Sequence, residues 1–153
     1  MKLPEPLFGP RPVVASIQQV ESVCVHHYPD SATRPHIWEG FQTAHTKVLD
    51  TRTPGELWVG GDFVVDHDDP DCAKVHLRVP AGVPKIDTLL DLLGWMNDKA
   101  RFDQLSCDLT TLVEYPPDDP KYLFVREYAE ILLDSFTIHG DSDTKGFPIL
   151  PLP

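Results

Sequence analysis

The chain has 153 residues and a formal net charge of −11, with 41% hydrophobic and 24% charged residues. That length suits one domain with a modest core, and the acidic balance disfavours direct DNA or RNA binding while favouring basic protein partners or cations. The three cysteines, Cys24, Cys72 and Cys107, fit neither a disulfide framework nor a zinc motif and suit a reducing cytosol. No apolar run approaches the roughly 20 residues needed to span a bilayer, and residues 1–6 lack the apolar region of a signal peptide. A cytoplasmic protein with no membrane partner is expected.

Residues 1–14 read as an extended arm, because Pro4, Pro6, Pro10 and Pro12 recur too often for helix, and residues 15–153 read as the single domain. Ser16 can cap a short helix, with Gln19 at the reciprocal capping-box position. Ile17, Val20, Val23 and Cys24 share a face of it, and Tyr28-Pro29-Asp30-Ser31 breaks it. Pro35 suits the first turn of a second helix, with Thr33 or Ser31 as its cap. Ile37, Trp38, Phe41, Ala44, Lys47 and Val48 carry its inward spacing, and it stops before Pro54-Gly55.

Residues 56–59 read as the first core strand, and residues 63–65 as a short apolar segment after the turn Gly60-Gly61. Ala73, Val75, Leu77 and Val79 alternate with Lys74, His76 and Arg78, the pattern of a half-buried strand. Asp87 opens a third helix through Leu89, Leu92, Trp95 and Met96, and residues 99–105 add a short turn of helix. Residues 108–115 form a third strand ended by Pro116-Pro117. Asp119 caps a final helix reaching Leu133, with Pro120 at its first position and Leu123, Phe124, Tyr128, Ile131 and Leu132 mostly on one face. Residues 134–146 read as a polar loop and residues 147–152 as a last edge segment. The order implies an α/β (α+β) fold, a small mixed β-sheet flanked by helices.

Four segments stand in a suggestive order. They are the strand, glycine turn and acidic loop of residues 57–71; the strand of residues 72–79; the strand and helix start of residues 108–128; and the tail from Ser135-Phe136 through Thr144-Lys145-Gly146-Phe147. In this order they resemble the minimal nucleotidyltransferases of the DNA polymerase beta superfamily, in particular small bacterial proteins of that fold. The resemblance covers residues from about 37 to 152. It implies that Gly60 and Gly61 form a turn holding nucleotide phosphates, since backbone N–H groups approach a phosphate closely where no Cβ intervenes. It also implies a pair of aspartates, one residue apart on the next strand, that binds magnesium from one face of that strand. A third carboxylate would come from a neighbouring strand, with Asp108 and Glu114 as candidates.

The chain departs from that pattern. Laying Pro70 on the family's proline puts Cys72 and Lys74 at the two aspartate positions. Magnesium prefers hard oxygen ligands, so the metal motif reads as degenerate and no cofactor is expected. Lys74 could then pair directly with a phosphate beside Gly60 and Gly61, as a nucleotide-binding pseudoenzyme would. The alternative is an active magnesium-dependent nucleotidyltransferase that modifies a protein or RNA with a nucleoside triphosphate. Its ligands would be Asp69 and Asp71 with Glu114, although Pro70 between them makes a poor strand interior.

On the first reading Asp62, Asp66, Asp68, Asp69 and Asp71 form an acidic patch that occludes a basic surface on a protein partner. That suits an antitoxin, immunity or regulatory role. Asp118-Asp119 and Asp141 with Asp143 are rival patches, and a homo-oligomer stays open. The seven histidines show no zinc spacing and read as surface or satisfied groups. Cys107 reads as a buried structural thiol, and the three tryptophans as core.

Overall fold

The computed structural model describes residues 3–140 and 143–153, with Asp143 described by its backbone alone. The capping signature at Ser16 is realised. In α1 (Ile17–Glu21) the Ser16 hydroxyl accepts from the Gln19 N–H at 3.2 Å, and the Gln19 side chain accepts from the Ser16 N–H at 2.8 Å. The helix runs on through a π-helical turn, Ser22–His26. In α2 (Arg34–Asp50) Pro35 sits in the first turn, where its missing N–H costs no bond. Of the two expected caps, Ser31 acts: its hydroxyl accepts the N–H groups of Thr33 and Arg34 at 3.3 and 3.1 Å.

A five-stranded sheet has the order β1-β7-β2-β3-β4. Its members are β1 (Val13–Val14), β2 (Gly55–Gly60), β3 (Ala73–Val79), β4 (Cys107–Val113) and β7 (Pro148–Leu152). β2 runs antiparallel to β3 and β7, whereas β3–β4 and β1–β7 are parallel. The parallel β3–β4 pair needs a crossover, which α3 (Asp87–Asn97) and α4 (Ala100–Leu105) supply. α5 (Tyr122–Thr137) follows β4, and β5 (Ile138–His139) pairs with β6 (Asp143–Thr144) as a separate ribbon. This is the mixed α/β sheet flanked by helices that the element order implies.

The period of two divides the sheet cleanly. Leu57, Val59, Val75, Leu77, Leu109 and Leu150 face α2, α3 and α4 and join Phe41, Val48, Leu89 and Met96 in the main core. The other face carries Trp58, which clusters with Phe136, Phe147 and Ile149 beneath the end of α5. Cys107 is buried as expected, its Sγ 3.8 Å from the Ile37 carbonyl. Trp38 and Trp58 are buried too. Among the described residues no helix is long and apolar enough to cross a membrane.

Several expectations need correction. The C-terminal segment is not an edge: β7 lies between β1 and β2. Its prolines are tolerated because Pro148 opens the strand and Pro151 lies beyond the short pairing with β1. The arm is not merely extended, since Val13–Val14 enter the sheet and Pro6 bridges Val65. The final helix starts at Tyr122 and not at Pro120; the Asp119 carboxylate accepts the Lys121 N–H at 2.8 Å in the turn before it. The helix also continues to Thr137, into the stretch read as polar loop. His76 is fully buried, because α5 covers the face of β3 that the alternation leaves half exposed. Leu123, Phe124, Tyr128 and Ile131 point to solvent, leaving only Leu132 of that set buried.

Candidate functional site

Gly60 ends β2, and Gly61 adopts φ +76°, a left-handed conformation that turns the chain into the 3-10 helix Gly61–Val64. Strand register then builds a row across the sheet, with Gly60 opposite Lys74 and Lys74 beside Asp108. Both glycines are closely covered. A Cβ on Gly60 would lie 2.6 Å from the Phe136 ring, and one on Gly61 would lie 3.3 Å from the Lys74 Cγ. Lys74 therefore lies against the glycine turn, at the place where the resemblance expects a carboxylate.

A second lysine joins it. Lys145 follows β6 and is 7% exposed, its N–H donating to the Thr137 carbonyl at 2.7 Å. Burial holds its ammonium below the usual lysine range; the nearby Asp62 carboxylate opposes that shift, and Lys74 adds to it. Lys74 and Lys145 thus lie near the carboxylates of Asp62 and Asp108 by the turn of a strongly acidic chain. Cys72 is half-buried nearby, and its thiol is pushed up by burial and then by Asp108, Asp62 and Asp71.

The acidic loop is built differently. Arg34 is fully buried at the start of α2 and spends all five guanidinium N–H groups on backbone carbonyls. Nε donates to His67 at 3.1 Å. Nη1 donates to Cys24 and Phe63 at 2.9 and 2.7 Å, and Nη2 to Val65 and His67 at 2.9 and 2.6 Å. The Tyr28 ring covers the guanidinium at 3.9 Å. Arg34 thereby fixes the backbone from which the aspartates project.

Those aspartates have distinct fates. Asp66 accepts the Tyr28 hydroxyl at 2.8 Å. Asp69 accepts the Ala32 N–H at 2.7 Å and the Ser31 hydroxyl at 2.9 Å, and these two bonds hold its carboxyl below the usual range. Asp69 is therefore tied to the approach to α2. Asp62, Asp68 and Asp71 are exposed. Asp68, Asp69 and Asp30 line a cleft of about 310 Å³ with His27, Tyr28 and Ser31. Glu114, the third candidate carboxylate, is paired with Arg78. Asp141 and the side chain of Asp143 lie outside the described residues.

The structure thus brings Gly60, Gly61 and Lys74 together and adds Lys145. It does not bring Asp69 or Glu114 to them. The donors at the turn do not suit a magnesium pair, which needs several hard oxygens. Among the described residues, no three His, Cys, Asp or Glu side chains converge as a metal site. Arg34 has no place in the sequence motifs, and Lys145 stands in the tail segment of the resemblance with no role assigned to it. Arg34 did leave a signal, because it falls on the helical stripe of Ile37, Trp38 and Phe41 and so had to point inward. Lys145 left none beyond its glycine and aromatic neighbours. Compared with protein-family models, curated proteins and solved structures, the chain matches none.

Proposed function

We propose that this chain is a protein-binding module of nucleotidyltransferase-like type, with a degenerate metal motif and an acidic loop that covers a basic surface on a cytoplasmic protein partner. An antitoxin, immunity or regulatory role suits that activity. The observation that carries the reading is the Arg34 clamp. It pre-organises the loop, so Asp68 and Asp71 are presented without an ordering cost on binding. Such a loop would steer a basic partner mainly through its association rate. The test is cross-linked co-purification from the native host with the wild-type chain and with an Asp68→Asn, Asp71→Asn double variant. Loss of the same partners from the variant supports the proposal; an unchanged partner set overturns it.

One observation favours a second reading. Lys74 lies against Gly61, with Lys145 close enough to feel its charge, in a chain of net charge −11, a setting for metal-independent binding of a nucleotide phosphate. Calorimetry with a nucleoside triphosphate separates the readings. Binding without magnesium that disappears in Lys74→Ala favours the nucleotide-binding pseudoenzyme. Magnesium-dependent turnover lost in Asp71→Asn would favour the active nucleotidyltransferase and overturn both.

A further inference from the structure

α5 has two apolar faces and only one is used. Tyr122, Val125, Ala129, Leu132 and Phe136 recur at steps of three and four and turn toward the sheet, where Leu132 and Phe136 are buried. On the outer side Phe124, Tyr128 and Ile131 follow at i, i+4 and i+7, with Ile138 two turns further on, just past the end of the helix. Phe124 is 74% exposed, Ile131 65% and Ile138 57%. The helical part of the stripe, from Phe124 to Ile131, is roughly 10 Å long at a helical rise per residue. A contiguous exposed row of aromatic and branched side chains on a helix is a mark of an interaction site.

The charges beside the stripe say what fits it. Glu127, Glu130 and Asp134 lie along one of its edges, one step round the helix. Glu130 meets Arg126 at 3.8 Å, while Glu127 and Asp134 make no ion pair among the described residues. In a two-fold antiparallel pairing of α5 with a second copy, like edges meet, so the acids would face acids. The net charge of −11 opposes self-association further. Anionic lipid headgroups would meet the same repulsion. A cationic partner does not.

We propose that the outer face of α5 docks a basic amphipathic helix of a protein partner, with apolar anchors seated on Phe124, Tyr128 and Ile131 and lysine or arginine meeting Glu127 and Asp134. This is helix-on-helix recognition read at i, i+3/i+4 and i+7, and it does not depend on the acidic loop.

The probe is a fluorescein-labelled amphipathic peptide of about 18 residues, with leucines at i, i+4, i+7 and i+11 and lysines beside them, followed by anisotropy against the full chain. Its control carries glutamate for every lysine. The lysine peptide should bind and the glutamate peptide should not. Phe124→Asp and Ile131→Asp should each weaken binding at least about tenfold, although each adds negative charge. Glu127→Lys with Asp134→Lys should transfer the preference to the glutamate peptide, and Asp68→Asn with Asp71→Asn should change nothing. Equal binding of both peptides overturns the proposal, as does unchanged or tighter binding by Phe124→Asp, which would mean attraction to net charge alone. A dimer lost in Phe124→Asp, or partition onto phosphatidylglycerol vesicles through this face, overturns it in favour of another occupant.

Discussion

The glycine turn and the acidic loop lie within a dozen residues of each other and are held by opposite means. At Gly60-Gly61 side chains close onto backbone: Phe136 rests on one glycine, the Lys74 stem on the other, and Lys145 is buried nearby. In the loop, backbone closes onto a side chain, with the carbonyls of Phe63, Val65 and His67 converging on the Arg34 guanidinium. The first arrangement packs a turn shut with apolar and cationic groups. The second holds a run of carboxylates outward at a fixed geometry. Glycine pairs and aspartate runs are chemically suggestive wherever they occur; what covers the one and what anchors the other decides their use.

The strongest way to break this comparison is to remove the anchor. Arg34→Met keeps volume but leaves the carbonyls of Cys24, Phe63, Val65 and His67 without their donor. Buried acceptors stripped of a charged partner cost about 3–5 kcal/mol in total. Urea denaturation should report a loss of that order. Arg34→Lys should recover only part of it, because three ammonium donors on a flexible stem cannot reproduce a five-donor planar fork. In either variant the amides of residues 65–71 should exchange faster, while those of β2 at the glycine turn keep their protection. Equal loss of protection in both regions would mean that the two are one cooperative unit.

The sequence made some of this legible. The alternation in residues 73–79 defines the two faces of β3, and counting from the acidic loop places Lys74 on the strand where a ligand is expected. The row Gly60–Lys74–Asp108 follows from register. What lies above that row was not legible. α5 carries Phe124, Tyr128 and Ile131 on one side and Val125, Leu132 and Phe136 on the other, and periodicity cannot choose between two apolar faces. The choice depends on how β4 delivers the helix onto the sheet, which is a tertiary property. β1 and its pairing with β7 escaped for a different reason. Two valines after a proline-rich arm are too short for any alternation to register, and the prolines of β7 argue against an interior strand unless the neighbouring strand's length is known.

The support beneath the glycine turn is sensitive to pH. His76 is fully buried on the sheet face under α5, 5.3 Å from the Trp58 ring and 6.2 Å from that of Phe136. Its Nδ1 meets the Thr110 hydroxyl at 2.7 Å, and its Nε2 is buried without a hydrogen-bond partner among the described residues. Burial, and then Arg78, lower its pKa from 6.5 to about 4. The fold therefore holds the neutral ring, while the unfolded chain takes up a proton at higher pH. Stability is complete above pH 6.5 and falls as the pH drops from 6.5 to about 4, by about 3 kcal/mol at the acid end. Denaturation midpoints across that window should show the slope, and His76→Gln should flatten it. A slope unchanged in His76→Gln would place the titrating group elsewhere.

The smallest effect sharpens the other half. Asp69 is exposed, so its two hydrogen bonds are expected to matter locally and not for the whole fold. Its carboxyl lies below the ordinary value of 3.8, chiefly through the Ala32 N–H and then the Ser31 hydroxyl. A lowered carboxyl pKa gives stability that is present above the unfolded value and is lost as pH falls through the folded one. The linkage should therefore be felt only below about pH 3.8 and leave the neutral range flat. Carbon-detected titration of the carboxyl should find it depressed. Asp69→Ala should speed exchange at the Ala32 amide and leave the Arg34-bound carbonyl geometry, and hence the amides of residues 65–68, as they were. If Asp69→Ala loosened the loop as far as Arg34→Met does, the anchor would be shared between the charge beneath the loop and the carboxylate on it, and the contrast with the glycine turn would rest on two residues instead of one.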